Sequence, residues 1–295
     1  MQTKELTVEL DYSYLNRLSD YKTYLQQEGR SENTISKYLR DLQAFRCFLS
    51  GQPITKEKFL FWKEQLTVVY APTSVNSMLA AVNSFLDWLG FSEMKVKPIK
   101  IQREIFAKPE KELTIEEYKK LVTTAEQKKN YRLSLLLQTI CATGIRVSEL
   151  KFITVNSILT RRATVACKGK TRTVFLPVDL CRALKEYCKK QGIKRGVIFR
   201  TKNGKTLDRS NIWKEMKALC KDAGVESGKV FPHNLRHLFA RTFYGLEKDI
   251  ARLADLLGHS NIATTRIYTM ESGKEHEKQI NRMKLILSQN IKTTT

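Results

Sequence analysis

Apolar residues in the first third of the chain recur at intervals of three and four. Across 31–51, Ile35, Tyr38, Leu39, Leu42, Phe45, Phe48 and Leu49 form one helical stripe. Ser31 stands where an N-cap belongs and Gly51 follows the last apolar position. Tyr14, Leu15, Leu18, Tyr21 and Leu25 mark an earlier amphipathic helix, starting by about residue 12 and closed by Gly29. Two more candidates cover 55–66 and 71–90, the second with Pro72 near its start and Gly90 at its end. The pattern predicts a small helical bundle over 1–91. The segment 92–112 carries two prolines and scattered lysines without a clean period, and reads as a basic linker. It is either a solvated tether or a strap lying against phosphates.

From residue 113 the character changes. Thr114 and Glu117 have capping-box spacing ahead of a helix. "YRLSLLLQTICATG" is apolar nearly all round, as a buried helix is. The stretch 163–177 reads as a β-hairpin around Lys168-Gly169-Lys170-Thr171. A helix is expected from Asp179 to about Gly192, a short strand at "GVIFR" and a turn at Asn203-Gly204. The rest reads as helix punctuated by Gly224, Pro232, Gly245 and Gly258. The tail is amphipathic, with Ile280, Met283, Ile286 and Leu287 on one side. The expected fold class is mainly α with a small β component (α+β). An N-terminal helical bundle precedes a mostly helical domain at 113–295 that carries a small antiparallel hairpin and ends in a tail helix.

Charge narrows the partner. Lys and Arg number 52 against 30 Asp and Glu, a net +22 in 295 residues. Such an excess favours a polyanion, nucleic acid before an anionic membrane surface. No run of apolar residues is long enough to span a bilayer, and the start "MQTKELTVEL" lacks the apolar core of a signal peptide. The six cysteines form no CxxC pair and fit reduced thiols of a cytosolic protein. No zinc-ligand spacing is present, and no cofactor or metal is expected.

Within "FPHNLRHLFARTF" (231–243), His233, Arg236, His237 and Arg241 fall within nine residues, separated by apolar ones. His233 and Arg236 share a helix face, and His233 follows Pro232 at a helix start, where backbone N–H groups favour an anion. Taken alone the pair is weak, and solvated helix charges or a capping histidine explain it better. Arg146, in "TICATGIRVSEL", sits where a buried helix breaks and needs a partner. That partner is Glu149 in a structural ion pair, or an anion in a clamp. Lys168 and Lys170 are an ordinary basic turn or a source of protons. In "LLGHSNIATTRIYT", His259 follows Gly258 and Tyr268 comes nine residues later. A free phenol titrates near 10, so a nucleophilic tyrosine requires neighbours that stabilise the phosphate it attacks.

Together, two arginines, two histidines, a hairpin lysine and a late tyrosine fit attack on a phosphodiester without a metal ion. The arginines neutralise the phosphorane-like charge. The histidines donate to non-bridging oxygens or manage the tyrosine proton, and the lysine protonates the departing 5′ oxygen.

The motifs "ATGIRVSEL", "CKGKTR", "HNLRH" and "LGHSNIATTRIY", in this order, resemble those of the tyrosine recombinases, the phage-integrase family. The N-terminal bundle resembles the family's SAM-like core-DNA-binding domain, so the resemblance covers nearly the whole chain. It implies Arg146 as first catalytic arginine supported by Glu149, Lys168 as general acid, and His233 and Arg236 as the His-x-x-Arg pair. It further implies His259 as a phosphate-contacting donor and Tyr268 as nucleophile, with His237 in a structural role. The hairpin is one residue short before its second cation, which makes Lys170 a rival to Lys168. Leu238 replaces a frequent small hydroxyl residue, a change expected in packing and not in chemistry.

The resemblance implies a site-specific recombinase acting through a 3′-phosphotyrosine, of Xer-like or mobile-element type, without a separate arm-binding domain. Its partners would be double-stranded DNA and three further copies of the chain, a tetramer on two DNA sites, with accessory DNA-bending or directionality proteins. The tail helix would pack on its own domain or dock on a neighbour. Lys37 and Arg40 lie off the apolar stripe of their helix and are offered, with Lys170, as DNA contacts. The location would be the bacterial cytoplasm, at the nucleoid. Alternatives are a non-catalytic DNA-binding regulator, a type IB topoisomerase and, least, a metal-dependent nuclease, which would need clustered carboxylates.

Overall fold

The computed structural model describes residues 9–102, 109–167, 170–201, 203–268 and 273–283. The chain divides into two compact units, Met1–Arg103 and Glu104–Thr295.

Among its described residues the first unit has four α-helices: α1 (Leu18–Gln27), α2 (Glu32–Leu49), α3 (Lys56–Val69) and α4 (Pro72–Trp88). A 3-10 turn, Tyr12–Arg17, leads into α1. Ser31 caps α2 by accepting the Thr34 N–H at 3.3 Å, and Thr55 does the same for α3 through Lys58 at 3.2 Å. The apolar stripes meet in a core built on Tyr21, Phe45, Phe59 and Phe85. Leu10 and Ile54 close the unit with an isolated antiparallel bridge.

Part of the segment read as linker belongs to this core. Met94 and Val96 are buried in it. Two asparagines on one face of α4, Asn76 and Asn83, clamp the following backbone: Asn83 exchanges two hydrogen bonds with Val96 at 2.8 and 2.9 Å, and Asn76 two with Ile99 at 2.9 and 2.7 Å. The side-chain amides mimic a neighbouring strand, so an aperiodic, basic sequence is nonetheless held. On α2, Lys37 pairs with the buried Asp41, and Arg40 Nε lies 3.7 Å from the same carboxylate. They border a groove, lined also by Tyr70, Ser74 and Ser77, of about 530 Å³.

The second unit opens with α5 (Ile115–Gln127) and α6 (Tyr131–Thr143). The Thr114–Glu117 capping box is formed, at 3.1 and 2.9 Å. A 3-10 turn (Val147–Phe152) and α7 (Val155–Thr160) lead to β1 (Arg162–Cys167) and β2 (Lys170–Phe175), paired antiparallel from Arg162↔Phe175 to Cys167↔Lys170. Then come α8 (Val178–Lys190), α9 (Arg209–Ala223), α10 (Pro232–Glu247), α11 (Ile250–Leu257), the 3-10 turns Ile262–Thr264 and Arg266–Tyr268, and α12 (Gly273–Arg282). The core runs from Leu133, Leu136 and Ile140 of α6 to Leu184, Met216 and Leu235, with Leu238 buried in it.

Two expectations differ from the structure. "GVIFR" is not a strand: only isolated bridges, Thr154↔Val197 and Arg200↔Thr206, form within it, while Ile198 and Phe199 plug the core. A short apolar run is β-like in composition whether it pairs or merely plugs. Gly245 does not interrupt α10, which continues to Glu247 and ends on Lys248 in the left-handed region at φ 54°. In α12 and just beyond, Ile280 and Met283 are exposed. Ile286 and Leu287 lie outside the described residues.

Candidate active site

Arg236 organises the site. It is 1% exposed, among the largest fully buried side chains. Such a cation requires fixed partners. They are supplied by two helix ends. Nη1 donates to the Gly144 carbonyl at 2.5 Å, and Nη2 to the Leu257 carbonyl at 2.7 Å. Gly144 caps α6 and Leu257 is the last residue of α11, so both carbonyls belong to the orphan, negative end of a helix. Gly144 is left-handed at φ 64°, and a Cβ there would stand 2.4 Å from Phe239 Cδ1, so the α6 terminus closes onto α10 only as glycine.

The Arg236 Nη2 also lies 3.0 Å from His259 Nε2, and His259 Nδ1 lies 2.9 Å from Thr265 Oγ1. With the guanidinium donating, Nε2 accepts and Nδ1 carries the proton. Gly258, the left-handed cap of α11, brings His259 to this place. The turn Arg266–Tyr268, started by the Tyr268 N–H bonding the Thr265 carbonyl at 2.9 Å, folds Tyr268 back onto α10 and α11. Tyr268 is 5% exposed and packs against Ala240, Leu253 and Leu257.

Three imidazoles surround its ring. His237 lies edge-on at 4.5 Å between centroids, His259 is near-parallel at 5.8 Å and His233 stands at 6.3 Å. Burial pushes His237 down to about 4, with His233 and Arg236 adding to the effect. Burial also pushes His259 to about 4, assisted by Arg236, Arg146, Arg172 and His233. His233 is lowered by burial and then by Arg236, Arg146 and Arg209. Burial and Arg146 bring Arg236 to about 10, against the opposing influence of Tyr268. The histidines are therefore neutral at neutral pH in a site crowded with guanidinium charge.

Arg146 serves that field from its own anchorage. Glu149, 1% exposed, accepts from the Arg146 backbone N–H at 2.8 Å and from its Nη1 at 3.1 Å. The ion pair read as an alternative is formed, and the Arg146 charge still acts on His233, Arg236 and His259. Arg241 does not join the group: it pairs with Glu112 and donates to the Leu113 carbonyl, tying α10 to the segment before α5. Lys168 lies outside the described residues, and of Lys170 only the backbone is described.

Two neighbours complete the surroundings. His237, expected in a structural role, sits one turn after His233 on the same face and packs against the Tyr268 ring. Arg172 was not singled out, yet strand alternation places it on the face of buried Val174, opposite Val165.

The profile of the phage integrase family matches residues 111–275, and that of the phage integrase N-terminal SAM-like domain matches 18–90. The chain belongs to the phage integrase family. It is 30% identical to the tyrosine recombinase XerA of Pyrococcus furiosus over 91% of this chain and 94% of the relative. It is 30% identical to XerD of Halalkalibacterium halodurans over 86% and 92%. Its fold matches a lambda integrase tetramer bound to a Holliday junction, with TM-score 0.70 at 19% identity over 91% of this chain and 80% of that one. The chain is a tyrosine site-specific recombinase, and this membership does not favour a regulator or a topoisomerase. Among the described residues, no helix is long and apolar enough to cross a membrane, and no group of three or more His, Cys, Asp or Glu is placed to hold a metal ion.

Proposed function

We propose that this recombinase cleaves and rejoins DNA strands through a 3′-phosphotyrosine on Tyr268. The phenolic oxygen attacks the scissile phosphorus while His233 accepts its proton. The bond to the 5′ oxygen breaks, and Lys168, with Lys170 as rival, delivers a proton to it. Arg146 and Arg236 neutralise the charge gathering on the non-bridging oxygens. The phosphate raises the proton affinity of His259, which takes up a solvent proton at Nε2 and hydrogen-bonds through it to a non-bridging oxygen. A 5′-hydroxyl of a second duplex reverses these steps and releases Tyr268. Ester energy is conserved throughout, so neither nucleotide hydrolysis nor a metal ion enters the balance.

The single observation that carries this reading is the placement of the Tyr268 ring among three imidazoles, 4.5 to 6.3 Å away, one of them bonded to a buried arginine. The test is adduct mapping. Incubated in EDTA with a nicked duplex that loses its 5′ fragment on cleavage, the enzyme is expected to carry DNA on the peptide containing Tyr268. A DNA-linked peptide elsewhere contradicts the assignment.

In this reading the first unit, with Met94 and Val96 in its core, serves core DNA binding and 113–295 serves catalysis, with Lys37, Arg40 and Lys170 on the DNA backbone. The enzyme works as a tetramer on two double-stranded sites, in the cytoplasm of a bacterium at the nucleoid, and accessory DNA-bending or directionality proteins set the outcome. That outcome is integration or excision of a mobile element, or resolution of joined DNA. The lambda integrase tetramer on a Holliday junction supports the assembly. The exposed Ile280 and Met283 support a tail that docks on a neighbouring copy.

A further inference from the structure

Arg172 on β2 faces inward. Arg172 is 13% exposed and donates from Nη2 to Glu149 Oε2 at 2.7 Å. The same oxygen accepts from the Arg146 backbone, and the other from the Arg146 guanidinium. One buried carboxylate thus joins two arginines. A single cation would leave part of its hydrogen-bonding capacity without a charged partner. Along its stem, Arg172 crosses Gly258: a Cβ there would stand 2.4 Å from Arg172 Cδ and 2.6 Å from Nε. Gly258 is the turn that delivers His259. Arg172 therefore touches the residue that holds Arg146 and the backbone that carries His259, two groups on different elements that must face one phosphate.

We infer that Arg172 is a positioning residue for strand cleavage, bracing Glu149, and through it the Arg146 guanidinium, against the His259 turn. The inference rests on the reading of Arg146 and His259 as phosphate-binding groups. Arginine suits the task because its long flat stem lies on the glycine while its fork reaches the carboxylate. A lysine keeps the charge but not the fork.

The test uses full-length Arg172→Lys and Arg172→Ala, each alone and combined with Arg146→Ala. Substrates are a suicide duplex with an ordinary scissile phosphate and one with a methylphosphonate, whose neutral centre has less need of guanidinium charge. Non-covalent DNA affinity reports folding, and if R172A fails to bind, R172K carries the comparison. On the ordinary phosphate, R172K is expected to cleave about tenfold more slowly, the usual scale for loss of a supporting contact. The deficit should fall to about twofold on the methylphosphonate, and to about twofold when Arg146 is already alanine, because residues acting through one another are not additive. A merely structural defect would slow both substrates alike. Wild-type rates in both Arg172 variants, an equal deficit on both substrates, or a full deficit in the R146A background would overturn the brace. An R146A enzyme cleaving at the wild-type rate would instead remove the underlying role of Arg146, and is recognised without any Arg172 variant.

Discussion

The imidazole of His237 meets the ring of Tyr268 edge-on, centroids 4.5 Å apart and planes at 87°. A histidine held neutral at this position walls the Tyr268 ring and does not act as a cation. Edge-to-face pairs contribute about 0.5–1.5 kcal/mol beyond burial. His237→Phe is therefore expected to keep cleavage within about threefold, and His237→Ala to lose about tenfold, because the pair is lost outright. Single-turnover cleavage rates of the two variants check this, and a phenylalanine variant as poor as alanine would assign His237 a proton.

The same histidines make the catalytic unit sensitive to acid. Their folded-state pKa values lie below the ordinary 6.5, at about 4 for His237 and His259. The unfolded chain takes up protons first, so the stability these groups support is complete above 6.5 and is lost progressively as pH falls toward 4. Thermal melts should move down between pH 7.5 and pH 5, and His237→Phe should flatten that slope. A melting temperature unchanged over this range contradicts the neutral, buried assignment.

Gly144 permits the α6 terminus to receive Arg236. An alanine there would adopt φ 64° and drive a methyl to 2.4 Å from Phe239 Cδ1. Left-handed strain and overpacking each cost about 1–3 kcal/mol, so Gly144→Ala should destabilise by about 2–6 kcal/mol in urea unfolding. Cleavage should fall further than stability explains, since the carbonyl that accepts from Arg236 moves with it.

With a net charge of +22, non-covalent DNA affinity should be steeply salt-dependent. Neutralising six to ten phosphates implies a loss of about 10³–10⁵ between 50 and 200 mM salt. Titrations at graded salt measure the slope, and a flat response would contradict backbone contact by both units. Truncation after Ser272 should leave this binding while abolishing the tetramer on paired sites in sedimentation. A truncated chain that still assembles would contradict tail docking.

Much of this architecture was legible because helices announce themselves locally. The stripe from Ile35 to Leu49 and the caps at Ser31 and Thr114 are patterns of a few residues, and the structure forms them. The site was legible only as a set: no spacing shows that Arg236 is buried by two helix ends, since Gly144 and Leu257 lie 92 and 21 residues away. Arg172 escaped notice because alternation puts Lys170 and Arg172 on the same face as Val174 and so does not tell them apart. Met94 and Val96 were read as linker because the asparagines that hold their segment lie in a preceding helix. "GVIFR" misled because burial and strand pairing select the same residues.

The central claim is that the Tyr268 oxygen becomes esterified to DNA. The most direct measurement compares Tyr268→Phe with the unaltered enzyme on a nicked suicide duplex, scoring the fraction of strand that stays attached to protein after denaturation in detergent. The account predicts a stable adduct from the unaltered enzyme and none from the phenylalanine variant, with non-covalent DNA affinity the same in both. Attachment of DNA to the Tyr268→Phe protein would contradict it.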